Sequence, residues 1–476
     1  MPQSLLPSQG RLRKVCLALQ ERAEPIYLVG GYVRDWLLGK ESHDLDLAID
    51  GNAIALARVI ADAFHGSFVL LDQERDTARV IFQQGGESSN IDFARLREGD
   101  ILSDLAARDF TINAIAIHIK QLDVIPPPLI DPLGSQKDIA AHAIRVASEQ
   151  AFRDDPLRTL RAVRQAATLG FQIAADTEAL ITRDAPLIVR ASRERIRDEL
   201  AQLLACQATA DHTRYLYRLG VLSHILPELS PLSERPLRAV EAIEDILMQS
   251  STIIPKAHDV AQTAIQELLS PYRMSLADHF AEVLSDVRNR ATLLKFAALL
   301  HHVGQASDTK GEGNAALAAR CAATVLQRLH FSNREIDLAQ AVIGHYPQLS
   351  LLARQEELSP RNRYRFFHRH GDAGLDIICL SLAVAWAARF YERDAVQWQR
   401  QLQVARDLLC YYHDEWPRVT ALPRLLDGQG LIRELHLKAG PLIGRLLEEI
   451  REAQAVGEIL SPEEALSWAA DRLRRL

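Results

Sequence analysis

The stretch IYLVGGYVRDWLLGKESHDLDLAI, residues 26–49, predicts a buried strand, a turn, a short helix and a second strand. Its apolar start is typical of a strand inside a sheet, and the double glycine that follows ends that strand. Near its end, acidic and apolar residues alternate with the period of two that strands show. Asp44 and Asp46 are therefore predicted to share one face of the second strand, while the alternating leucines face the core.

Two neighbouring carboxylates on a rigid strand repel each other unless a cation lies between them. Magnesium prefers oxygen ligands and commonly takes one or two carboxylates together with substrate phosphates. Gly30 and Gly31 precede a helix predicted near residues 32–38, where a phosphate can approach backbone N–H groups and the positive helix end. These features indicate metal-dependent nucleotidyl transfer, with Asp44 and Asp46 as catalytic residues and Mg²⁺ ligands. A hairpin with two solvated aspartates is the alternative interpretation.

The chain as a whole, at 476 residues, is long enough for about three or four domains or subdomains. It contains no long apolar run, so we expect no membrane span, and its N-terminus shows no secretory signal. Its five cysteines lie far apart without metal-ligand or redox spacing, which is typical of buried thiols in a reducing compartment. We therefore expect a cytoplasmic protein.

The formal net charge of −7 argues against general affinity for nucleic acid. Arginines nevertheless cluster at residues 153–164, 190–197 and 361–369. Such clusters suit local contacts with an RNA backbone. Helix faces on which the arginines pair with nearby acids are an equally good interpretation of any single cluster.

Residues 1–145 mix strand and helix patterns, and nearly everything after about residue 150 is helical in pattern. The predicted strands are 26–29, 44–49, 67–71, 78–83 and 90–94, and the predicted helices of this part are 32–38, 53–64 and 108–118. A break in the helical part is predicted at 305–314. This layout predicts an α+β chain in which a mixed head precedes a long helical body.

The stretch 26–49 resembles the active-site motif of the DNA polymerase β nucleotidyltransferase superfamily. More narrowly, it resembles that of class II CCA-adding tRNA nucleotidyltransferases and bacterial poly(A) polymerases. This resemblance implies a polymerase β-like head with a mixed sheet, an all-α neck, a degenerate HD-like body and a helical tail. The expected boundaries are 1–145 for the head, 146–215 for the base-selecting neck, 216–350 for the body and 351–476 for the tRNA-binding tail.

A second motif, LAARDFTINA at residues 105–114, resembles the family's ribose-recognition motif Arg-Arg-Asp-Phe-Thr-Ile-Asn-Ala. Asp109 can accept a hydrogen bond from a ribose hydroxyl, and Arg108 can pair with a phosphate. The first arginine of the family motif is Ala107 here, so one expected positive charge is missing. The resemblance implies nucleotide binding by six residues of the head: Gly30, Gly31, Arg34, Arg108, Asp109 and Asn113.

A third motif, RDDPLRTLRAVR at residues 153–164, resembles the Glu-Asp-x-x-Arg template with which the family selects bases. Cytosine and adenine each present an amino donor beside a ring-nitrogen acceptor, whereas guanine and uracil present the reverse order. Asp155 can accept from the amino group while Arg158 donates to the ring nitrogen, so this pair would select CTP and ATP. Asp154 stands in place of the family's Glu, and Arg161 belongs to the same nucleotide-binding set.

Three further features have weaker predicted roles. Asp92 is a candidate third carboxylate beside the metals, although a surface acid is the alternative. The segment SRERIRDEL, residues 192–200, resembles a neck helix that supports the base site, and we assign it no catalytic role. The segment FAALLHHVG, residues 296–304, resembles the start of an HD-type phosphohydrolase domain. Because His302 replaces the aspartate and the histidine expected near 312–314 is missing, although His345 matches a later one, we expect no hydrolase activity.

The sequence therefore predicts a template-independent nucleotidyltransferase that adds C, A or both from CTP and ATP to the 3′ end of tRNA. The resemblance implies that one Mg²⁺ activates the tRNA 3′-hydroxyl and a second stabilises the pyrophosphate leaving group. The expected partners are tRNA, CTP and ATP, and the expected state is a monomer or homodimer without membrane contact. A poly(A) polymerase and a non-catalytic RNA-binding protein are the alternatives. Whether the product is CCA, CC or A is left open at this stage.

Overall fold

The computed structural model describes Leu5, Pro7 and residues 10–42, 44–84, 87–249, 259–285, 288–304 and 313–475. The chain divides into two compact units, of which the first comprises residues 1–206 and 214–225. The second unit comprises residues 207–213 and 226–476. The break predicted at 305–314 is only partly described, because residues 305–312 lie outside the described part and a helix begins at Gly313. Position 312, the first at which the HD-like pattern expects a histidine, also lies outside it.

A six-stranded mixed sheet forms the centre of the first unit. Its strands in chain order are β1 Ile26–Val29, β2 Asp44–Ile49, β3 Ser67–Asp72, β4 Thr77–Gln84, β5 Glu87–Arg95 and β6 Ala116–His118. Their order across the sheet is β3-β4-β5-β2-β1-β6, in which β2 and β5 are parallel and the other neighbours are antiparallel. The predicted α+β class and the mixed sheet of the head are confirmed.

The helix predicted near residues 108–118 is wrong. Thr111–Asn113 form one turn of 3₁₀ helix, and β6 follows and pairs with β1, with Ile117 opposite Leu28. The isoleucines at 115, 117 and 119 are all fully buried in the sheet core. Their spacing of two is that of a strand, so burial beside β1 decides the local structure against the helical pattern.

The alternation in β2 has the predicted consequence for its side chains. Leu45 and Leu47 are each 1% exposed, whereas Asp44 is exposed and Asp46 is half-buried. Both leucines belong to one core with residues of β1, β4, β5 and the helix Ala53–Phe64. Burial of a leucine side chain is worth about 1.5–3 kcal/mol, and a shift of one residue would bury the carboxylates instead. The hydrophobic core therefore fixes which face presents the aspartates.

Among its described residues, eleven α-helices contribute to the first unit, and the tenth of them has residues in both units. They are α1 Gly10–Gln20, α2 Gly31–Leu37, α3 Ala53–Phe64, α4 Ile101–Ala106, α5 Ser135–Ala140, α6 Ala151–Asp154, α7 Arg158–Leu169, α8 Ala175–Asp184, α9 Arg193–Ala205, α10 Thr209–Arg218 and α11 Val221–Ile225. Two short strands, β7 Ala143–Ile144 and β8 Gln172–Ile173, pair in parallel. Helices α7 and α9 pack against each other, and both contribute residues to the site described below.

The second unit is almost entirely helical in its described part. Its further helices are α12 Glu234–Gln249, α13 Val260–Leu269, α14 Arg273–Ala281, α15 Arg290–Leu300, α16 Gly313–Arg328, α17 Asn333–His345, α18 Gln348–Leu352, α19 Pro360–His370, α20 Ala373–Ala387, α21 Phe390–Arg393, α22 Ala395–Cys410, α23 Trp416–Ala421, α24 Gly428–Leu435, α25 Pro441–Ala455 and α26 Pro462–Arg474. Two short strands, β9 Val283–Ser285 and β10 Arg288–Asn289, pair antiparallel. The last three helices share a separate apolar cluster that includes Leu431, Leu446 and Ala465.

Across the described ranges, no single helix combines the length and the apolar composition that a membrane crossing requires. The helices α19 and α20 meet those criteria only as a pair, and they are bent by 107° at their junction. Most residues of α20 are buried, as in the core helix of a folded domain.

The five cysteines, all among the described residues, form no disulfide. Cys16 and Cys379 are buried, and burial raises the pKa of Cys16 to about 12, so this thiol stays protonated. Cys410 is exposed, so the prediction of buried thiols is right for part of the set only.

Candidate active site

Acidic residues line one face of the sheet where the parallel strands β2 and β5 meet. Asp46 lies opposite Asp92 in the strand register, and Asp44 lies opposite Asn90, whose Nδ2 donates to Oδ1 of Asp44 at 3.0 Å. Removal of the Asp46 carboxyl from solvent raises its pKa to about 6, and although Arg108 opposes this shift, the charges of Asp92 and Asp44 add to it. The crowded carboxylates therefore form an acidic site that a cation would stabilise.

Asp92 already has a cationic partner on the neighbouring strand. Arg79 of β4 lies opposite Asp92 of β5 and donates from Nε to Oδ1 at 2.6 Å and from Nη2 to Oδ2 at 2.8 Å. This paired arrangement engages both carboxylate oxygens. Asp92 is therefore an ion-paired neighbour, whereas Asp44 and Asp46 are the pair that could hold a cation.

Gly30 lies at the turn between β1 and α2, in contact with the acidic face. Its φ of 72° is in the left-handed region that favours glycine. A Cβ atom at this position would lie 3.0 Å from Nη1 of Arg108 and 3.2 Å from Oδ2 of Asp46. Gly31 begins α2, and a Cβ atom there would lie 3.5 Å from Nη2 of Arg34. The turn thus brings the predicted site residues Gly30, Gly31, Arg34 and Arg108 close to Asp46.

Gly30→Ala is expected to destabilise the protein more than Gly39→Ala does. Both glycines have a positive φ, of 72° and 70°, but a Cβ atom at Gly39 meets nothing within 4 Å. A side chain on a left-handed backbone costs about 1–2 kcal/mol, and the strain at Gly30 is greater because its ψ of −134° lies in a region that residues other than glycine rarely adopt. Only Gly30→Ala also crowds the ends of the Arg108 and Asp46 side chains. Urea unfolding of the two variants beside the wild type measures the difference. Equal midpoints for both variants would contradict the close packing at Gly30.

Arg34, Asp109 and Asn113 belong to one hydrogen-bonded network beside this turn. Nη1 of Arg34 donates to Oδ1 of Asn113 at 2.7 Å, and Nδ2 of Asn113 donates to Oδ1 of Asp109 at 3.0 Å. The same amide contacts the buried Gln165 at 3.2 Å, and Nη1 of Arg161 lies 3.6 Å from Oδ2 of Asp109. Long-range contacts therefore assemble four predicted nucleotide-binding residues from separate segments.

Arg161 is held mainly by Glu199 of α9. Its Nε donates to Oε1 of Glu199 at 2.8 Å, and Arg164 donates to the second oxygen at 2.6 Å. Although burial opposes it, the charge of Glu199 raises the pKa of Arg161 above its ordinary value. The pair joins α7 to α9 and orients the wall of the site.

Asp155 and Arg158 each bind other groups of the protein. Asp155 follows α6, which ends at Asp154, and Arg158 begins α7, so a turn rather than a continuous helix separates the two residues. Oδ2 of Asp155 accepts from Nη2 of Arg195 at 2.7 Å. Arg158 donates to the backbone carbonyls of residues 107 and 108 at 3.0 and 3.3 Å. The motif at residues 153–164 therefore contacts the backbone of the motif at residues 105–114.

Two guanidinium groups contact Ala107, the position at which the family motif has an arginine. Arg97 donates to the carbonyl of Ala107 at 2.9 Å, and Arg158 donates to the same oxygen at 3.0 Å. Positive charge is thus present next to the position where the motif lacks it.

A cavity of about 890 Å³ opens beside these residues, all of them in the first unit. Its lining includes nine arginines: Arg75, Arg95, Arg97, Arg108, Arg153, Arg158, Arg161, Arg190 and Arg195. It also includes four acids: Asp104, Asp109, Asp154 and Asp155. Ligand sites for small molecules commonly measure about 300–1,000 Å³. The size and the excess of arginine suit a nucleoside triphosphate or an RNA end.

The carboxylate pair fits a divalent cation that binds together with phosphate. Within the described ranges, no set of three or more His, Cys, Asp or Glu side chains is arranged to hold a metal ion. Mg²⁺ commonly takes only one or two carboxylates and completes its shell with substrate phosphates and water. Burial is the main cause of the raised pKa of Asp46, and the negative charges of Asp92 and Asp44 add to it. Asp44 and Asp46 are therefore suitable ligands once a triphosphate supplies the rest.

Four residues of this site had no individual role in the sequence analysis: Arg79, Gln165, Arg195 and Glu199. The alternation of β4 opposite Asp92 was the available signal for Arg79. Arg195 and Glu199 lie in the segment 192–200, whose resemblance indicated only support of the base site. For Gln165, we see no signal in the sequence.

In the second unit, the histidines of the HD-like segment are packed within the fold. His301 is 1% exposed, its Nδ1 lies 2.7 Å from a backbone carbonyl of its own helix, and burial lowers its pKa to about 4. Nε2 of His302 lies 3.3 Å from Nη1 of Arg235. The rings of His345 and His370 lie 4.6 Å apart. These contacts pack the histidine side chains against their neighbours within the second unit.

The arginine cluster at 361–369 forms ion pairs within the second unit. Three of its arginines contact glutamates: Arg361 with Glu458 at 2.5 Å, Arg363 with Glu415 at 3.3 Å and Arg365 with Glu452 at 2.8 Å. For these three arginines, the contacts agree with the interpretation that the cluster pairs with nearby acids.

Comparison with known proteins identifies two family models in the chain. Residues 26–145 match the poly A polymerase head domain, and residues 170–232 match the probable RNA and SrmB-binding site of polymerase A. A CC-adding tRNA nucleotidyltransferase of Synechocystis sp. is 32% identical over 93% of this chain and 92% of its own length. An A-adding tRNA nucleotidyltransferase of Deinococcus radiodurans is also 32% identical, over 93% of this chain and 94% of its own length.

Solved structures have the same fold. The Thermotoga maritima CCA-adding enzyme complexed with tRNA aligns with a TM-score of 0.64 and 24% identity, over 98% of each chain. A CCA-adding enzyme in an apo form aligns with a TM-score of 0.66 and 23% identity, over 98% of this chain and 96% of the other. At this identity, the structural likeness concerns the fold alone.

Proposed function

This chain belongs to the family of tRNA nucleotidyltransferases and bacterial poly(A) polymerases, and we propose that it adds C, A or both from CTP and ATP to the 3′ end of tRNA. The observation that supports this most is the arrangement of Asp44 and Asp46 on one strand face beside the Gly30 turn and the arginine-lined cavity. Relatives of equal identity add CC or A, so the proposal covers both products.

In this proposal, Asp44 and Asp46 would hold Mg²⁺, and the ion would supply Lewis-acid stabilisation of the attacking 3′-hydroxyl and of the pyrophosphate leaving group. The residues of the chain position the reactants around that site. Gly30 and Gly31 let the phosphates approach the backbone, because neither has a Cβ atom. Arg34 and Arg108 neutralise phosphate charge from two sides of this turn.

The sugar and base are held by the network that joins head and neck. Asp109 accepts from a ribose hydroxyl, and Asn113, fixed by Arg34, keeps that carboxylate in place. Asp155 accepts from the amino group of cytosine or adenine while Arg158 donates to the ring nitrogen, with Arg161 on the adjacent cavity wall. Guanine and uracil would leave both groups mispaired, at about 1–3 kcal/mol for each.

We further propose that residues 1–145, 146–215, 216–350 and 351–476 act as head, neck, body and tail, and that the tail contacts tRNA. The protein would then act in the cytoplasm, where tRNA is its substrate.

The proposal is tested by incubating the whole chain with Mg²⁺ and three RNAs: a tRNA lacking its CCA end, a tRNA ending after the second C, and an RNA that is not a tRNA. Each reaction receives CTP, ATP or both, and parallel reactions receive GTP or UTP. Product length separates CCA, CC, A and poly(A) addition. Efficient extension of the RNA that is not a tRNA would contradict the tRNA assignment and would favour poly(A) polymerase activity instead.

Asp92→Asn is expected to raise the Mg²⁺ concentration needed for half-maximal transfer by roughly three- to tenfold. The substitution removes the partner of Arg79, whose positive charge then acts on Asp44 and Asp46 across the strand face. In the double variant with Arg79→Ala, the requirement should return towards the wild-type value. Magnesium titrations of the three proteins measure this, and an equal requirement in the single and double variants would contradict the role of Arg79.

A further inference from the structure

The neck helix α9, to which the sequence assigned no catalytic role, contributes a side chain to the cavity. Arg195 lies in the first turn of α9 and lines the same cavity as Asp155 and Arg158. Its Nη2 donates to Oδ2 of Asp155 at 2.7 Å. One oxygen of the base-selecting carboxylate therefore has a defined cationic partner.

The other groups around Asp155 complete its orientation. Oδ1 of Asp155 accepts from the backbone N–H of Leu157 at 3.2 Å. Arg158 is held separately, because it donates to the carbonyls of residues 107 and 108. The two groups proposed to read the base are thus each fixed by contacts from the protein, as preorganised recognition requires.

Helix α9 is suited to hold Arg195 in place. Ser192 caps the helix by accepting from the N–H of Arg195, and Ile196 next to it is fully buried. One turn further on, Glu199 binds Arg161 and Arg164 of α7. Arg195 and Glu199 are four residues apart and so lie on one helix face, which makes α9 a support for two walls of the site.

We propose that Arg195 is a positioning residue that sets base selection by holding Asp155 as a fixed hydrogen-bond acceptor, an inference that rests on the proposed function. An acceptor turned towards the base pairs with the amino group of cytosine or adenine and is mismatched with the carbonyl of uracil or guanine. Without Arg195, the carboxyl group can rotate, and it can also take up a proton and donate to such a carbonyl.

The charges around Asp155 explain why this contact matters. Although partial burial alone would raise the pKa of Asp155, the hydrogen bond and charge of Arg195 bring it below its ordinary value, with a smaller contribution from Arg161. Loss of Arg195 therefore removes the main opponent of protonation. The cavity would keep its other arginines, so nucleotide binding would be weakened less than base selection.

The test is steady-state kinetics of Arg195→Ala with tRNA and each of the four nucleoside triphosphates. We expect the ratio of kcat/KM for CTP or ATP to that for UTP or GTP to fall by about tenfold or more. Arg195→Lys, which keeps a donor and a charge, should recover much of the ratio. Arg190→Ala removes an arginine from the same cavity and should affect all four nucleotides alike.

Each outcome has a defined meaning. If the wild type adds C or A to tRNA and Arg195→Ala keeps the wild-type ratio, the positioning role is refuted while the proposed function stands. If Arg195→Lys loses the ratio as fully as Arg195→Ala does, although both variants melt at the wild-type temperature, the role of the positive charge is refuted. If the wild type transfers no nucleotide in the same assay, the proposed function itself fails.

Discussion

Asp44→Ala is expected to lower the rate of nucleotide transfer by about 10³-fold or more. The reason is geometric: Asp44 and Asp46 share one strand face, and the cation that both would bind neutralises the charge of the triphosphate. Loss of one of only two carboxylate ligands removes several kcal/mol of this stabilisation, and each 1.4 kcal/mol is about tenfold in rate. Asp46→Asn is expected to have the same effect.

Single-turnover transfer to tRNA lacking its CCA end measures this loss. Binding of CTP and ATP should remain measurable by calorimetry, because Asp155 and Arg158 lie on the neck and are unchanged. Asp62→Asn, on the exposed side of α3, is a matched control that removes one carboxylate elsewhere on the head. Transfer by Asp44→Ala at a rate near that of the wild type would refute the assignment of the catalytic pair.

Asp155→Asn is expected to reduce the preference for CTP and ATP over UTP and GTP by about 10–100-fold. A carboxylate only accepts hydrogen bonds, whereas an asparagine amide can also donate to the carbonyl of uracil or guanine. Arg158 would keep its backbone partners at residues 107 and 108, so the cavity should retain its form. The change should therefore appear in selection more than in binding.

Competition between labelled CTP and unlabelled UTP, or ATP and GTP, measures this preference directly. Asp62→Asn, which removes an exposed carboxylate on α3 away from the cavity, is the control. It should leave the preference near that of the wild type. An unchanged preference in Asp155→Asn would show that base selection depends on other groups.

The local sequence pattern was sufficient to predict the positions of most strands of the sheet. Five of its strands were predicted within a few residues, because each has either an apolar run or an alternation of apolar and polar residues next to turn signals. The exception was the segment after Arg108, where a short apolar run fits both a helix and a strand. Its structure depends on pairing with β1, which is a contact between residues about 90 positions apart.

The two carboxylates of β2 and the hydrogen-bonded network around Asn113 differ in how far they could be predicted. Asp44 and Asp46 lie on one strand, so the period of two is enough to place them on one face. Asn113 contacts Arg34, 79 positions earlier in the chain, and Gln165, 52 positions later. No periodicity relates such residues, and only the resemblance indicated that they act together.

The sequence by itself determined the α+β class of the head, the shared face of Asp44 and Asp46 and the positions of the motifs. Those features depend on backbone periodicity and local turn chemistry, which are properties of short segments. The tertiary structure alone decided that Arg79 engages Asp92 and that Arg195 holds Asp155. It also decided that Arg97 and Arg158 surround Ala107. These are contacts between side chains and backbone groups of separate elements, and their partners are set by how the elements pack.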